Sequence, residues 1–152
     1  TEATKIVHSA YQDNKDLEYV YTNWMFSHNR QLGISRPIPS NDWCAYRDPW
    51  ITSAMATFKV KTFMSIPESN FLDDEGNYFK MGTDHAYVLP ITHILKKKYG
   101  DYRGVGFINA PLYVYQFVEN AKRRRVDEEG QWETDEAHRA SSLIKQRGFL
   151  DD

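Results

Sequence analysis

The sequence is short of the features that mark several large classes of protein. It holds one cysteine, Cys44, in 152 residues, which excludes an intramolecular disulfide and a multi-thiolate zinc site. A lone thiol fits a reducing compartment, so a cytoplasmic location is the expectation. No apolar run approaches the ~18 residues of a membrane span, and no charged-then-apolar signal segment opens the chain. Charge of one sign is lacking as well: 19 basic and 21 acidic residues leave a net -2. No global field draws such a chain onto nucleic acid or an anionic membrane. Phosphate-binding glycine loops, dinucleotide fingerprints and Ser nucleophile elbows are also missing, as are repeats and low-complexity tracts.

What is abundant is rings. Aromatic residues make up 14% of the chain, with ten Tyr, eight Phe and four Trp. A chain of this length fits one domain and buries roughly 70% of its unfolded surface, enough for a sizeable core.

Ala3, Ile6, Val7 and Ala10 recur at helical spacing, which predicts a helix over residues 2–12, and Asp13-Asn14 ends it. The Tyr- and Val-rich run Leu17 to Trp24 predicts a strand. Turn formers crowd Gln31 to Pro49, which predicts a long surface loop broken at most by a short strand at Trp43 to Tyr46. Met55 to Val60 reads as a second strand, followed by a short helix ending near Pro67. Thr83 offers an N-cap for a helix to about Tyr99, with Pro90 expected to kink it or displace its start. Val105 to Phe117 reads as a strand bent at Pro111, and Thr134 to Arg147 as a last helix stopped by Gly148.

Gly82-Thr83-Asp84-His85 is the segment with the clearest chemistry, because it sets a carboxylate at the first position of a predicted helix. Free amides and the helix dipole favour the ionised form there, as a general base requires; Asp is also a common first-turn residue with no further role. The acidic turn Asp73 to Asn77 fails as a calcium loop, since placing Gly76 sixth puts Phe71 at position one. Five histidines, at 8, 28, 85, 93 and 138, show no metal-ligand spacing; His85 and His138 are the better candidates of a weak set. Trp24, Trp43, Tyr46 and Trp50 concentrate rings around a polar loop, where they either stack on a ligand or pack the core. Lys96 to Lys98 and Arg123 to Arg125 read as solvated charge or as contacts for an anionic ligand.

The order of these pieces resembles the acceptor-side, C-terminal half of a family 2 nucleotide-sugar glycosyltransferase with the GT-A fold. Carrying that resemblance are residues Glu2 to Trp24 with Asp16-Leu17-Glu18-Tyr19-Val20-Tyr21, then Ala56-Thr57-Phe58-Lys59. Asp73-Asp74-Glu75-Gly76-Asn77-Tyr78-Phe79 follows ahead of Gly82-Thr83-Asp84, and Pro111-Leu112-Tyr113-Val114-Tyr115-Gln116 with Glu119-Asn120 closes the set. Gln116 departs from the Asn that many relatives carry.

The resemblance implies an α/β fold, a mixed sheet with flanking helices. It makes residues 1–120 the acceptor-side part of a GT-A-like catalytic domain and 121–152 a charged segment with a C-terminal helix. It further implies transfer of a sugar from a nucleotide-diphosphate donor to an acceptor hydroxyl on a glycan or other acceptor, with Asp84 as general base and inversion at the anomeric carbon. His85, Trp43, Tyr46, Arg123 and Arg125 are the expected substrate contacts. The family's Asp-x-Asp would lie just before Thr1, so the divalent metal, Mg or Mn, is expected to find its ligands outside this chain. Without the nucleotide-binding half, this chain is expected to be inactive alone and to expose edges that favour a homodimer. The competing expectation is a non-catalytic α/β module that binds a protein partner or a carbohydrate.

Overall fold

A computed structural model describes residues 1–116 and 133–151 of the chain. The first helix, α1 (Glu2–Asp13), starts on the side chain of Thr1, which accepts the Thr4 N–H at 3.3 Å. Strand β1 (Tyr19–Phe26) follows, then β2 (Thr57–Phe58) and the one-turn helix α2 (Val60–Phe63). Helix α3 (Thr83–Tyr99), strand β3 (Val105–Tyr115) and helix α4 (Glu133–Arg147) complete the described elements. The architecture is α/β: among the described residues a small mixed sheet runs in the order β2-β1-β3, with β2 antiparallel and β3 parallel to β1.

One core forms between the sheet and α3. Tyr19 and Tyr21 of β1 pack with Val88, Ile91 and Leu95 of α3 and with Ile66. Their hydroxyls do not point to waste: Tyr19 donates to the carbonyl of Thr52 at 2.8 Å and Tyr21 to that of Arg36 at 2.7 Å. A buried phenol needs such a partner, and here the partners are carbonyls of the long segment between β1 and β2. That segment is therefore drawn inward.

The expected surface loop is largely exposed, but Ser35, Trp43 and Ala45 within it are buried. Trp43, Ala45 and Ile51 form a second cluster with Ala86 and Leu89 of α3 and Ile144 of α4. The backbone is nonetheless irregular, and Trp43 to Tyr46 forms no strand, with Ala45 and Tyr46 in a turn. Carbonyl and hydroxyl partners replace a ladder: Ser35 Oγ donates to the Ser53 carbonyl at 2.7 Å, and Arg36 N–H to Ile51 at 3.3 Å. Burial of apolar side chains on a turn-rich segment is compatible with this because its polar backbone groups find local partners.

Two further expectations change. Gly82, not Thr83, is the N-cap of α3, and it sits at φ 66°, a left-handed conformation glycine adopts without steric cost. Pro90 does not displace the helix start, which stays at Thr83. The proline is fully buried, and the Thr92 hydroxyl donates back to the carbonyls of Val88 and Leu89 at 3.1 and 2.8 Å.

The bend expected at Pro111 appears as a shift of register between β1 and β3 around Asn23. There the Asn23 side chain takes the Trp24 N–H at 2.9 Å. Before the shift it is Tyr19 and Tyr21 that meet α3; beyond it, Trp24 lines an opening with Tyr87 and Val88 of α3. Irregular pairing that re-aims a side chain is the usual effect of a bulge. It turns one end of the sheet into the wall of the site.

Candidate functional site

Asp84 stands in the wall between two openings. One, of about 220 Å³, is lined by Trp24, Trp50, Tyr87, Tyr113 and Tyr115 with the loop residues 52–56. The other, of about 690 Å³, is bounded by Trp50, Gly82, His85 and Tyr115 and by His138, Ser141 and Lys145 of α4. Asp84, Trp50 and Tyr115 belong to both.

Local sequence explains how the carboxylate comes to be there. The left-handed Gly82 turns the chain into α3, and a Cβ on it would come within 3.3 Å of Ala137 O and of Ala140 and Ser141 side-chain atoms on α4. Glycine thus serves both the turn and the close approach of α4. Asp84 becomes the second residue of α3 rather than the first. Its Oδ1 accepts the His85 N–H at 3.0 Å. Its side chain is 50% exposed, and among the described residues Oδ2 has no hydrogen-bond donor.

His85 lines the larger opening, but its ring is buried and engaged on several sides. Nδ1 lies 3.2 Å from Ser141 Oγ and 3.5 Å from Asp84 Oδ1, and the Trp50 ring meets it edge-on at 3.6 Å between centroids. These contacts tie the start of α3 to α4. Ser141 and Asp84 both approach the same ring nitrogen, so no proton path from serine through His85 to Asp84 is laid out.

Trp43 and Tyr46 are not brought to this place. Trp43 is 5% exposed in the second core cluster and edge-on to Tyr102 at 5.6 Å. Tyr46 packs on the same cluster and edge-on to His93 at 6.1 Å. Neither lines either opening beside Asp84. Arg123 and Arg125 lie outside the described residues.

Trp50, Tyr113, Tyr115 and Ser141 were not among the expected substrate contacts. The available signal was Tyr113-x-Tyr115 at the end of a strand, where period-2 alternation sets both rings on one face. Among the described residues no group of three or more His, Cys, Asp or Glu could hold a metal ion, so these residues do not fit as the seat of the Mg or Mn that the resemblance implies. No described helix is long and apolar enough to cross a membrane.

Compared with known proteins, the chain matches no family model, no curated protein and no solved structure.

Proposed function

We propose that this chain is the acceptor-side part of a nucleotide-sugar glycosyltransferase in which Asp84 is the general base. The observation that carries the reading is the position of Asp84: a half-exposed carboxylate in the shared wall of two openings. An acceptor hydroxyl entering from one side and a donor sugar from the other would meet at this side chain. A base must reach the proton it removes, and Oδ2, which has no donor among the described residues, is the oxygen that can do so.

In the reaction, the acceptor oxygen attacks the anomeric carbon as its proton passes to Asp84 Oδ2. The bond from that carbon to the diphosphate oxygen breaks, and its electron pair leaves with the nucleotide diphosphate. A single base acting opposite the leaving group gives inversion. His85, held by Ser141 and Trp50, fixes the backbone N–H that orients Asp84. Any divalent metal would have to be held outside the described residues, where it would supply charge to offset the leaving diphosphate. The same aromatic wall would also suit a non-catalytic carbohydrate-binding module.

The test is sugar transfer and donor hydrolysis by the full-length protein that carries this chain, comparing wild type with Asp84→Asn at equal thermal stability. Loss of ~100-fold or more fits removal of a general base. Equal rates would remove Asp84 from the mechanism.

A further inference from the structure

Helix α4 is held to the molecule in a different way from α3. In α3 the middle turns are sealed, with Val88, Leu89, Ile91 and Leu95 at 1% exposure or less. In α4, among the residues whose side chains are described, Ala140 and Ile144 are the buried ones. Its last turn is tied instead by polar groups. Lys145 Nζ donates to the Asp48 carbonyl at 2.8 Å, and Arg147 to the Leu72 carbonyl at 2.6 Å with its guanidinium 5.5 Å from the centre of the Phe79 ring. An element with few buried apolar contacts opens at lower cost than the core beside it.

The residues after α4 add to that hold. Past Gly148, Phe149 stacks on His93 at 4.6 Å and Asp151 reaches Lys97 at 3.8 Å. His93 and Lys97 are four apart on α3 and share a face, so the chain end lies along that helix. Between these two contacts the Leu150 backbone pairs with Asn70, in the 3-10 turn Glu68–Phe71. Asn70 Nδ2 donates to the Leu150 carbonyl at 2.8 Å, and its Oδ1 accepts the Leu150 N–H at 3.1 Å. One side-chain amide thus makes the two-bond exchange of paired strand residues. Asn70 is 3% exposed, and Nδ2 also donates to the Pro67 carbonyl at 3.2 Å. Turning the amide round would set donor against donor at Leu150, so its orientation is fixed.

Asn70 lines neither opening beside Asp84, but the helix it helps to hold does. α4 contributes His138, Ser141 and Lys145 to the larger opening, of about 690 Å³, which Asp84 and His85 also line. The Ser141 hydroxyl lies 3.2 Å from Nδ1 of the buried His85 ring. Movement of α4 away from α3 would uncover that ring and remove one wall of the opening.

We propose that α4 and residues 148–151 undock from α3 as one unit while the sheet and α3 stay folded, and that Asn70 is the latch that sets how often they do. The larger opening then has a movable wall, controlled from a place outside it. An amide suits the task because it grips backbone: it fixes the register of the chain end on α3, where an apolar side chain would pack without fixing register. The competing behaviour is a single cooperative unit, in which α4 leaves only when the whole molecule unfolds. The proposal does not depend on the role of Asp84.

The experiment is amide hydrogen exchange on the full-length protein, comparing wild type with Asn70→Ala and Phe149→Ala. In the wild type, amides from Ala137 to Lys145 should exchange at least about tenfold faster than those from Tyr19 to Thr22 and from Val88 to Leu95. Asn70→Ala should speed the first set by about tenfold more and leave the other two within about twofold. Phe149→Ala loosens the same chain end without touching Asn70, should act in the same direction, and carries the test if Asn70→Ala does not fold. Labelling with diethyl pyrocarbonate runs beside it, with the exposed His8 as internal reference. His85 should be modified about fivefold faster or more in the variants, as its cover opens more often. Equal exchange in α3 and α4 of the wild type, or acceleration of all three sets together, overturns undocking as a unit. Selective acceleration in Phe149→Ala but none in a folded Asn70→Ala overturns Asn70 as the latch. Faster exchange in α4 with His85 labelling unchanged overturns the movable wall.

Discussion

Helix α3 has a carboxylate at each end, and the two are used in opposite ways. At its C-terminal end, Glu18 reaches in from the start of β1 and is nearly filled with donors. Lys98 and Thr62 bond to it, and the Tyr99 hydroxyl donates at 2.7 Å. At the N-terminal end Asp84 receives one backbone N–H and has the His85 ring 3.5 Å from the same oxygen, and among the described residues no donor reaches its other oxygen. Both acids sit at an end of one helix, but only one has capacity left. Glu18 fastens sheet to helix, because the groups that hold it come from α2 and from the last turn of α3. Asp84 fastens less, and in the proposed reaction it is the group that would take the acceptor's proton.

The largest effect should come from swapping roles between these ends. Asp84→Asn is expected to cost ~100-fold or more in transfer rate and to leave the melting temperature within a degree or two. Glu18→Gln should do the reverse. Breaking a largely buried pair is expensive, but Lys98 is 52% exposed and its charge is well solvated, so we expect a loss of about 2 kcal/mol in stability. Transfer per folded molecule should be nearly unchanged. Denaturant melts beside activity assays on both variants decide it. If Glu18→Gln silences the enzyme while leaving it folded, the division between the two ends is wrong.

Acid offers a second way to separate them. Burial alone would raise the Glu18 carboxyl, but hydrogen bonds from Lys98, Thr62 and Tyr99 and the charge of Lys98 outweigh it and bring it from 4.5 to about 2. A carboxylate depressed in the folded state contributes stability above its unfolded value, and loses it as pH falls through the folded one. Stability should therefore drop between about pH 5 and pH 2, by roughly 2 kcal/mol after allowing for solvent around Lys98. In Glu18→Gln the same drop should be missing, which chemical melts across that range would show.

The two ends also differ in how far the sequence disclosed them. Element positions were legible where one pattern ruled: the period of Ala3, Ile6, Val7 and Ala10 for α1, and Gly148 at φ 74° closing α4. A carboxylate in the first turn of α3 was legible too, although Thr83 was expected as the cap and Gly82 takes that place. Less legible was the burial of Trp43 and Ala45 within the segment from 31 to 49, whose turn residues predict exposure. The hydroxyls of Tyr19 and Tyr21, more than ten residues distant in sequence, draw the chain inward by reaching the carbonyls of Thr52 and Arg36. That same burial moved Trp43 and Tyr46 into packing and left Trp50 at the site. The network on Glu18 was hidden because its donors come from residues 62, 98 and 99, and no short-range pattern links them.

Between the ends of α3 lies a smaller titrating group that sharpens the contrast. His93 stacks on Phe149 at 4.6 Å and meets Tyr46 edge-on. Burial first, then the charges of Lys97 and Lys96, lower its pKa from 6.5, and Asp151 opposes them. A histidine lowered in the folded state binds its proton more readily when unfolded, so stability falls as pH drops below about 6.5 and levels off once the folded form also protonates. This step should be shallower than the one from Glu18 and should precede it on acidification. His93→Phe, which keeps a ring against Phe149, should flatten the upper step and leave the lower one in place. Glu18→Gln should do the opposite. If both substitutions altered a single common transition, the C-terminal half of α3 would be titrating as one coupled unit, and the Glu18 network could no longer be treated as independent of the packing of the chain's C-terminal residues on that helix.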